Sequence, residues 1–309
     1  MRKTMLTTAM TVTMVAGIFA GCQVMAEENA RPSVDRAGNE ISVPEEISSI
    51  ICMAPSTAQI LDELGLKEKL IAVDYQTPLY MEGVEDLPQF DMMTPDCEAI
   101  LALNPDIVFV TGMSYQGDDP YEELEIAGIC VAQIPSSDSL AGIQEDIQFV
   151  ADCFGLTEEG AAIVDDMQGA IDEVAEIGET ITEKKSVLFE IACLPNIYSF
   201  GNGVFLQEML ELIGAENVFA DQDGWISVTE ESALAANPDV ILTSVDYIEN
   251  SVDEILSREG WENVEAVKNQ QVYYIDTAAS SQPNQNVVLA LQEMAKAIYP
   301  EEYAQIGEE

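Results

Sequence analysis

Residues 157–182 read as a single long amphipathic helix, and that helix limits what the rest of the chain can become. Ile163, Met167, Ile171, Val174, Ile177 and Ile181 recur at spacings of three and four, which makes one apolar stripe. Glu159, Asp165, Asp166, Asp172, Glu173, Glu176 and Glu179 occupy the opposite face and meet water. Thr157, followed by Glu158 and Glu159, is the predicted N-cap with acids in the first turn. At about 1.5 Å per residue the helix spans roughly 40 Å, the width of a domain. Gly160, Gly169 and Gly178 lower its propensity without ending it.

The stretches on either side of this helix repeat one another. Glu98-Ala-Ile-Leu-Ala-Leu-Asn-Pro-Asp-Ile-Val-Phe109 stands before it, and Glu231-Ser-Ala-Leu-Ala-Ala-Asn-Pro-Asp-Val-Ile-Leu242 after it. Each copy reads as a short helix, an Asn-Pro-Asp stop, and a buried β-branched strand. Strands alternate with helices through the rest of the chain. The buried strands are expected at 47–54, 70–73, 107–111, 129–134, 187–191, 240–244 and 272–276. Helices are expected from a Ser56–Gln59 capping box to Gly65, from a Thr94 cap with Pro95 at the first helical position, and over 121–127, 140–154, 205–213 and 287–298. The predicted fold class is α/β: two Rossmann-like lobes of mostly parallel sheet joined by a single long α-helix. The expected boundaries are 33–156 for the first lobe, 157–183 for the linker helix and 184–309 for the second lobe.

Charge excludes several functions. The 309 residues carry 57 acidic and 11 basic side chains, a formal charge of −46, and no histidine. A chain without a basic face cannot release counterions from nucleic acid, nor adsorb electrostatically to an anionic membrane. Lack of His removes the commonest general base and transition-metal ligand. No Gly-x-Ser-x-Gly elbow, P-loop or metal-ligand spacing occurs, so an enzyme using the cleft between the lobes is the weaker class.

The N-terminus supplies an address. Arg2-Lys3 precedes an uncharged, largely apolar run from Met5 to Ala20, which fits an export signal over residues 1–21. Phe19-Ala-Gly-Cys22 resembles the bacterial lipobox, although the usual Leu at the position of Phe19 is absent. Cys22 is the expected lipidation site, 22–32 a polar tether, and the location extracytoplasmic and lipid-anchored to the cell membrane. The other cysteines, Cys52, Cys97, Cys130, Cys153 and Cys193, are odd in number and irregular in spacing. They signal neither a disulfide framework nor a zinc site.

The segment Ser33-Val-Asp-Arg-Ala-Gly-Asn-Glu-Ile-Ser-Val-Pro44 resembles the opening of periplasmic binding proteins for iron-siderophore complexes and vitamin B12. So do Pro55-Ser-Thr-Ala-Gln-Ile-Leu-Asp-Glu-Leu-Gly65, the two Asn-Pro-Asp motifs and Val272-Tyr273-Tyr274-Ile275-Asp276. The resemblance runs from about Ser33 to Pro300. It implies a monomeric substrate-binding protein, without a cofactor of its own, that serves an ABC permease dimer and its ATPase and holds a small-molecule metal chelate or corrinoid between two lobes. In that family, glutamates at the positions of Glu98 and Glu231 pair with permease arginines. A helix acid that complements the dipole is the plainer reading of both.

Ligands of open α/β sheets bind outside the carboxyl ends of the strands. The loops expected there contain Met53, Tyr75, Tyr80, Met92, Met93, Met113, Tyr115, Tyr198, Trp225, Tyr247 and Asp276, and no Lys or Arg. Lys67, Lys69, Lys184, Lys185 and Lys268 fall at the other end. A cleft without cations favours a neutral or cationic chelate, such as a ferric hydroxamate or a corrinoid, over catecholates or haem propionates. The resemblance makes Trp225 a ligand-stacking residue and Asp276 a ligand-facing acid; packing and a turn cap are the respective alternatives. Met92-Met93 reads as core or as iron ligand. The family's basic residue after the late proline is here Asn284.

Overall fold

The computed structural model describes residues 31–115 and 117–307. Chain order in the first half is β1 (Ile50–Cys52), α1 (Pro55–Glu63), β2 (Leu70–Asp74), β3 (Gln89–Phe90), α2 (Cys97–Leu103), β4 (Ile107–Thr111), α3 (Glu122–Ile126), β5 (Cys130–Ile134) and α4 (Leu140–Phe154). The five strands form one parallel sheet in the order β3-β2-β1-β4-β5. The sequences of β1 and β4 are wholly apolar apart from Thr111, because helices cover both faces of this sheet. Cys52 behaves as a core hydrophobe: it is fully buried, and burial pushes its thiol up to about 12.

α5 (Thr157–Gly178) then crosses to the second half. There follow β6 (Ser186–Glu190), β7 (Ile197–Phe200), α6 (Phe205–Ile213), β8 (Glu216–Asn217), β9 (Trp225–Val228), α7 (Glu230–Ala236), β10 (Val240–Thr243), α8 (Ser251–Leu256), α9 (Glu265–Lys268), β11 (Val272–Tyr274), α10 (Thr277–Ser281) and α11 (Val287–Ile298). A parallel sheet runs β11-β10-β6-β8, and β7 pairs antiparallel with β9 as a separate ribbon. Among the described residues no helix is long and apolar enough to cross a membrane.

The two Asn-Pro-Asp repeats build the same joint twice. Asn104 and Asn237 end α2 and α7 in the left-handed conformation, at φ 51° and 45°. Proline then forbids helix continuation. Asp106 accepts the amides of Ser48 and Ser49, and Asp239 accepts that of Ser186. Each aspartate thereby fixes the start of a repeat strand against the central strand of its sheet.

Five local expectations change. The Ser56 capping box does not form: α1 starts with Pro55 after Ala54 and has no side-chain cap. α2 is capped by Asp96, which accepts the Ala99 amide at 3.0 Å, so Pro95 lies before the helix and Thr94 does not cap it. Thr157 is the first residue of α5 and its hydroxyl goes to Asp152 at 2.7 Å. The helix ends at Gly178, four residues early, because the chain must turn there to reach β6. The ribbon of β7 and β9 stands where the sequence predicts loop; its strands are short and carry glycine and polar neighbours, so they lack a buried-strand pattern.

α5 is seated by glycine. A Cβ built on Gly160 would lie 2.4 Å from the Ala151 Cβ of α4, and one on Gly178 would lie 1.9 Å from the Leu212 carbonyl oxygen of α6. A third glycine in the helix, Gly169, faces open space. Gly178→Ala must therefore move α5 away from α6 and should cost about 1–3 kcal/mol. Gly169→Ala should add about 0.4–1 kcal/mol by restricting the unfolded chain. Urea denaturation of both variants beside the parent checks the pair; equal effects would show that the α5–α6 seat is loose.

Candidate functional site

The carboxyl ends of β1, β2, β4 and β5 open on a cavity of ≈ 300 Å³ between the two halves of the molecule. Ala54–Thr57 follow β1 and enter α1. Gln76 and Met92–Met93 come from the long loop after β2, Thr111 and Met113 from the end of β4, and Ile134–Ser136 from the end of β5. Across from them stand Ser281, Gln282 and Pro283, at the end of α10. Among the described residues, no Lys or Arg lines this cavity.

The long loop is held by a buried carboxylate. Asp74, the last residue of β2 and fully buried, accepts the amides of Gln76 and Met92, each at 2.9 Å. The Tyr121 hydroxyl donates to the Met92 carbonyl at 3.3 Å, which steadies the same turn. Burial nonetheless pushes the Asp74 carboxyl above its usual range, against the pull of those amides.

Asp146, the one acid at the wall among the described residues, is neutralised in place. It sits on the apolar stripe of α4 with Ile143, Ile147 and Val150, the only clue to it in the sequence. One oxygen accepts the Arg36 Nε at 2.6 Å and the other accepts the Ser137 hydroxyl. Arg36 also pairs with Glu145 at 2.7 Å.

The second half carries a comparable device. Glu190, at the carboxyl end of β6, receives both terminal nitrogens of Arg258 at 2.7 Å. Arg258 also binds Glu254 and lies 4.9 Å above the Trp261 ring. This arginine, absent from the set of bases assigned to the far end, is consumed by two acids and an indole.

The expected ligand residues divide. Met92, Met93 and Met113 line the cavity. Met53 does not: it is 0 % exposed and packs with Ile51, Ala72 and Ile100. Tyr80 borders a separate depression with Gln59 and Lys67. Tyr115 lies beside Tyr121, their ring centroids 6.1 Å apart, and Tyr75 is exposed beside Gln76. Tyr198 and Trp225 belong to the β7–β9 ribbon and not to a loop. Trp225 is 45 % exposed, its ring edge-on to Phe200 and Phe205. The Tyr247 hydroxyl accepts the Cys193 amide at 3.1 Å. Asp276 caps α10 by accepting the Ala279 amide at 2.8 Å, the turn-cap reading, and so orients the helix whose far end enters the cavity. Ser56, Gln76, Thr111 and Ser281–Pro283 fall in loops expected at the strand ends without standing out there, because small polar residues carry no pattern that separates lining from capping; Thr57 and Asp146 lie in helices outside those loops. Cys22 lies outside the described residues.

Two parallel α/β lobes joined by one helix, with a cleft at the strand ends, define a substrate-binding protein of the class III periplasmic architecture. The family described as Periplasmic binding protein matches residues 50–279, and the chain belongs to it. Its members are substrate-binding transport proteins and not enzymes. An ABC transporter substrate-binding lipoprotein of Bacillus subtilis, YvrC, is 29 % identical over 275 residues, 88 % of this chain and 86 % of that one. A cobalamin-binding protein of Halobacterium salinarum is 23 % identical over 275 residues, 86 % of this chain and 73 % of its own. The solved molybdate-bound MolA of Haemophilus influenzae superposes with a TM-score of 0.77 at 21 % identity, over 89 % of this chain and 93 % of that one.

The raised Asp74 carboxyl has a signed consequence. Its folded-state pKa lies above the unfolded value, so its protonated form favours folding. That contribution is complete below the ordinary carboxylate range and is lost as pH rises through the raised value. The stability of the parent relative to Asp74→Asn should therefore increase as pH falls from 7 towards 4. Thermal melts of both proteins across that range check it; a constant difference would mean that Asp74 is not desolvated.

Proposed function

We propose that the protein captures a metal chelate in the cleft between its lobes, a ferric siderophore of the neutral hydroxamate type being favoured, and delivers it to an ABC permease. The observation that carries this reading is a cavity lined by thioethers, hydroxyls and amides, without a cation. An anionic catecholate or a haem propionate would enter it with no partner for its charge. Among the described residues no group of three or more His, Cys, Asp or Glu could hold a metal, so a metal would arrive with its own donors. A corrinoid is the second reading, favoured by Trp225, which is half-exposed and packed edge-on to Phe200 and Phe205, an aromatic surface that suits a flat ring. In this reading residues 1–21 are an export signal, Cys22 is lipid-modified, and the lobes at 33–156 and 184–309 act outside the membrane as a monomer.

Titrating tryptophan fluorescence with a ferric trihydroxamate, cyanocobalamin and a ferric catecholate tests the ligand class. One of the first two should bind at least about tenfold more tightly than the catecholate, a difference of about 1.4 kcal/mol. Quenching should be reduced in Trp225→Phe, which leaves the buried Trp261 as the remaining reporter. Tighter binding of the catecholate would overturn the reading.

Glu98 and Glu231 support permease docking. Each is the second residue of its helix, after the caps Asp96 and Thr229, one on each lobe. Two equivalent acids suit a two-fold transporter carrying arginines. Glu98→Gln combined with Glu231→Gln should leave ligand affinity within about twofold while uptake by the cognate transporter drops. The double Arg variant should abolish uptake through like-charge repulsion. Normal uptake with two arginines would reduce both residues to helix acids.

A further inference from the structure

The start of α1 brings uncommitted backbone donors to the cavity wall. α1 runs nine residues from Pro55, and the Ala54 that precedes it offers no side-chain cap. Proline has no N–H, and the first hydrogen bond back from the helix is that of Ala58 to the Ala54 carbonyl at 3.0 Å. The amides of Ser56 and Thr57 thus donate to no group among the described residues, and both residues border the cavity.

Thr57 is a second and independent sign. It is only 2 % exposed, yet its hydroxyl is neither among the buried side-chain atoms left without a partner nor in a hydrogen bond with any described residue. The little surface that Thr57 keeps therefore includes the hydroxyl, and the space it borders is the cleft.

We propose that the N-terminus of α1 is the subsite for one polarised or singly charged oxygen of the ligand, held by the Ser56 and Thr57 amides and the Thr57 hydroxyl. The inference rests on reading the cleft as the ligand site. A helix start presents about half a positive charge. That suffices for a single hydroxamate, phosphodiester or oxyanion oxygen and does not balance the several charges of a tris-catecholate. The nearby acid does not oppose it, because both oxygens of Asp146 are already engaged by Arg36 and Ser137. Apolar contact from Met92, Met93 and Met113 would hold the body of the ligand while α1 fixes its oxygen.

The test uses the full chain, isotope-labelled, titrated separately with a ferric trihydroxamate exchanged to Ga(III) for spectroscopy, cyanocobalamin and molybdate. The three arms separate a chelate oxygen, a corrinoid phosphodiester and a free oxyanion. Whichever binds should move the Ser56 and Thr57 amide resonances. Thr57→Val should bind it about three- to tenfold more weakly, the loss of one hydrogen bond, with an unchanged melting midpoint. Binding that leaves both amides still and is unaffected by Thr57→Val overturns the subsite and leaves the cleft as the ligand site. If none of the three binds or moves either amide, subsite and cleft reading fall together.

Discussion

The contact of α5 with α6 is the constraint on which the arrangement of the lobes depends. Gly178 lets the helix backbone meet the Leu212 carbonyl, and Gly214 approaches from the other side, where a Cβ would lie 2.8 Å from the Gly178 carbonyl oxygen. At that separation no side chain intervenes, so the angle between α5 and the second lobe is set by backbone against backbone. Tyr303 adds a polar tie, its hydroxyl 3.2 Å from the Val174 carbonyl and 2.9 Å from that of Ile213. One apolar core runs through this junction, from Ile50 and Phe109 of the first lobe to Phe189 and Leu291 of the second. Elsewhere the lobes meet through specific hydrogen bonds. The Leu140 amide donates to Glu208, and Asn284 donates to Gln59 at 2.6 Å. Packed interfaces of this kind move by small shear and not by wide hinge opening.

Electrostatics in the cleft follow from where the few arginines go. In a chain this acidic, each cation at the strand ends is committed to an acid that would otherwise be buried without a partner. Removing one member of the Glu190–Arg258 pair would leave the other charge buried, at a cost of about 3–5 kcal/mol. The pairing uses up the guanidinium groups of Arg36 and Arg258, so neither is free to meet an anion at the cavity. What lines the cavity is then mostly neutral dipoles, soft sulfur and apolar carbon.

Much of the fold could be read along the chain, and the reasons are local. α4, α6 and α11 match their expected bounds to the residue: the stripes of α4 and α6 begin after extended residues and end at glycine, and that of α11 ends where its pattern does. The Asn-Pro-Asp repeats were legible as two equal joints because a left-handed Asn, a Pro and a staple-forming Asp each impose geometry on their own neighbours. Caps were less legible. Ser56, Thr94 and Thr157 looked like caps by type, yet Ala54, Asp96 and Leu156 hold those places, because the strand or helix before each fixes where the chain can turn.

Sequence by itself determined the α/β class, the central helix and the paired Asn-Pro-Asp joints of the two lobes. All of these depend on periodicity or on residue type at short range. Tertiary structure alone decided which side chains meet the cleft. Met53 and Met92–Met93 have similar chemistry and similar strand-end positions, but Met53 points into the core while Met92 and Met93 line the cavity. Asp146 reaches the wall from the middle of a helix far along the chain, and Ser281–Pro283 arrive from the other lobe. No local pattern encodes such meetings, because they are fixed only when the seat of α5 brings the two sheets to one separation.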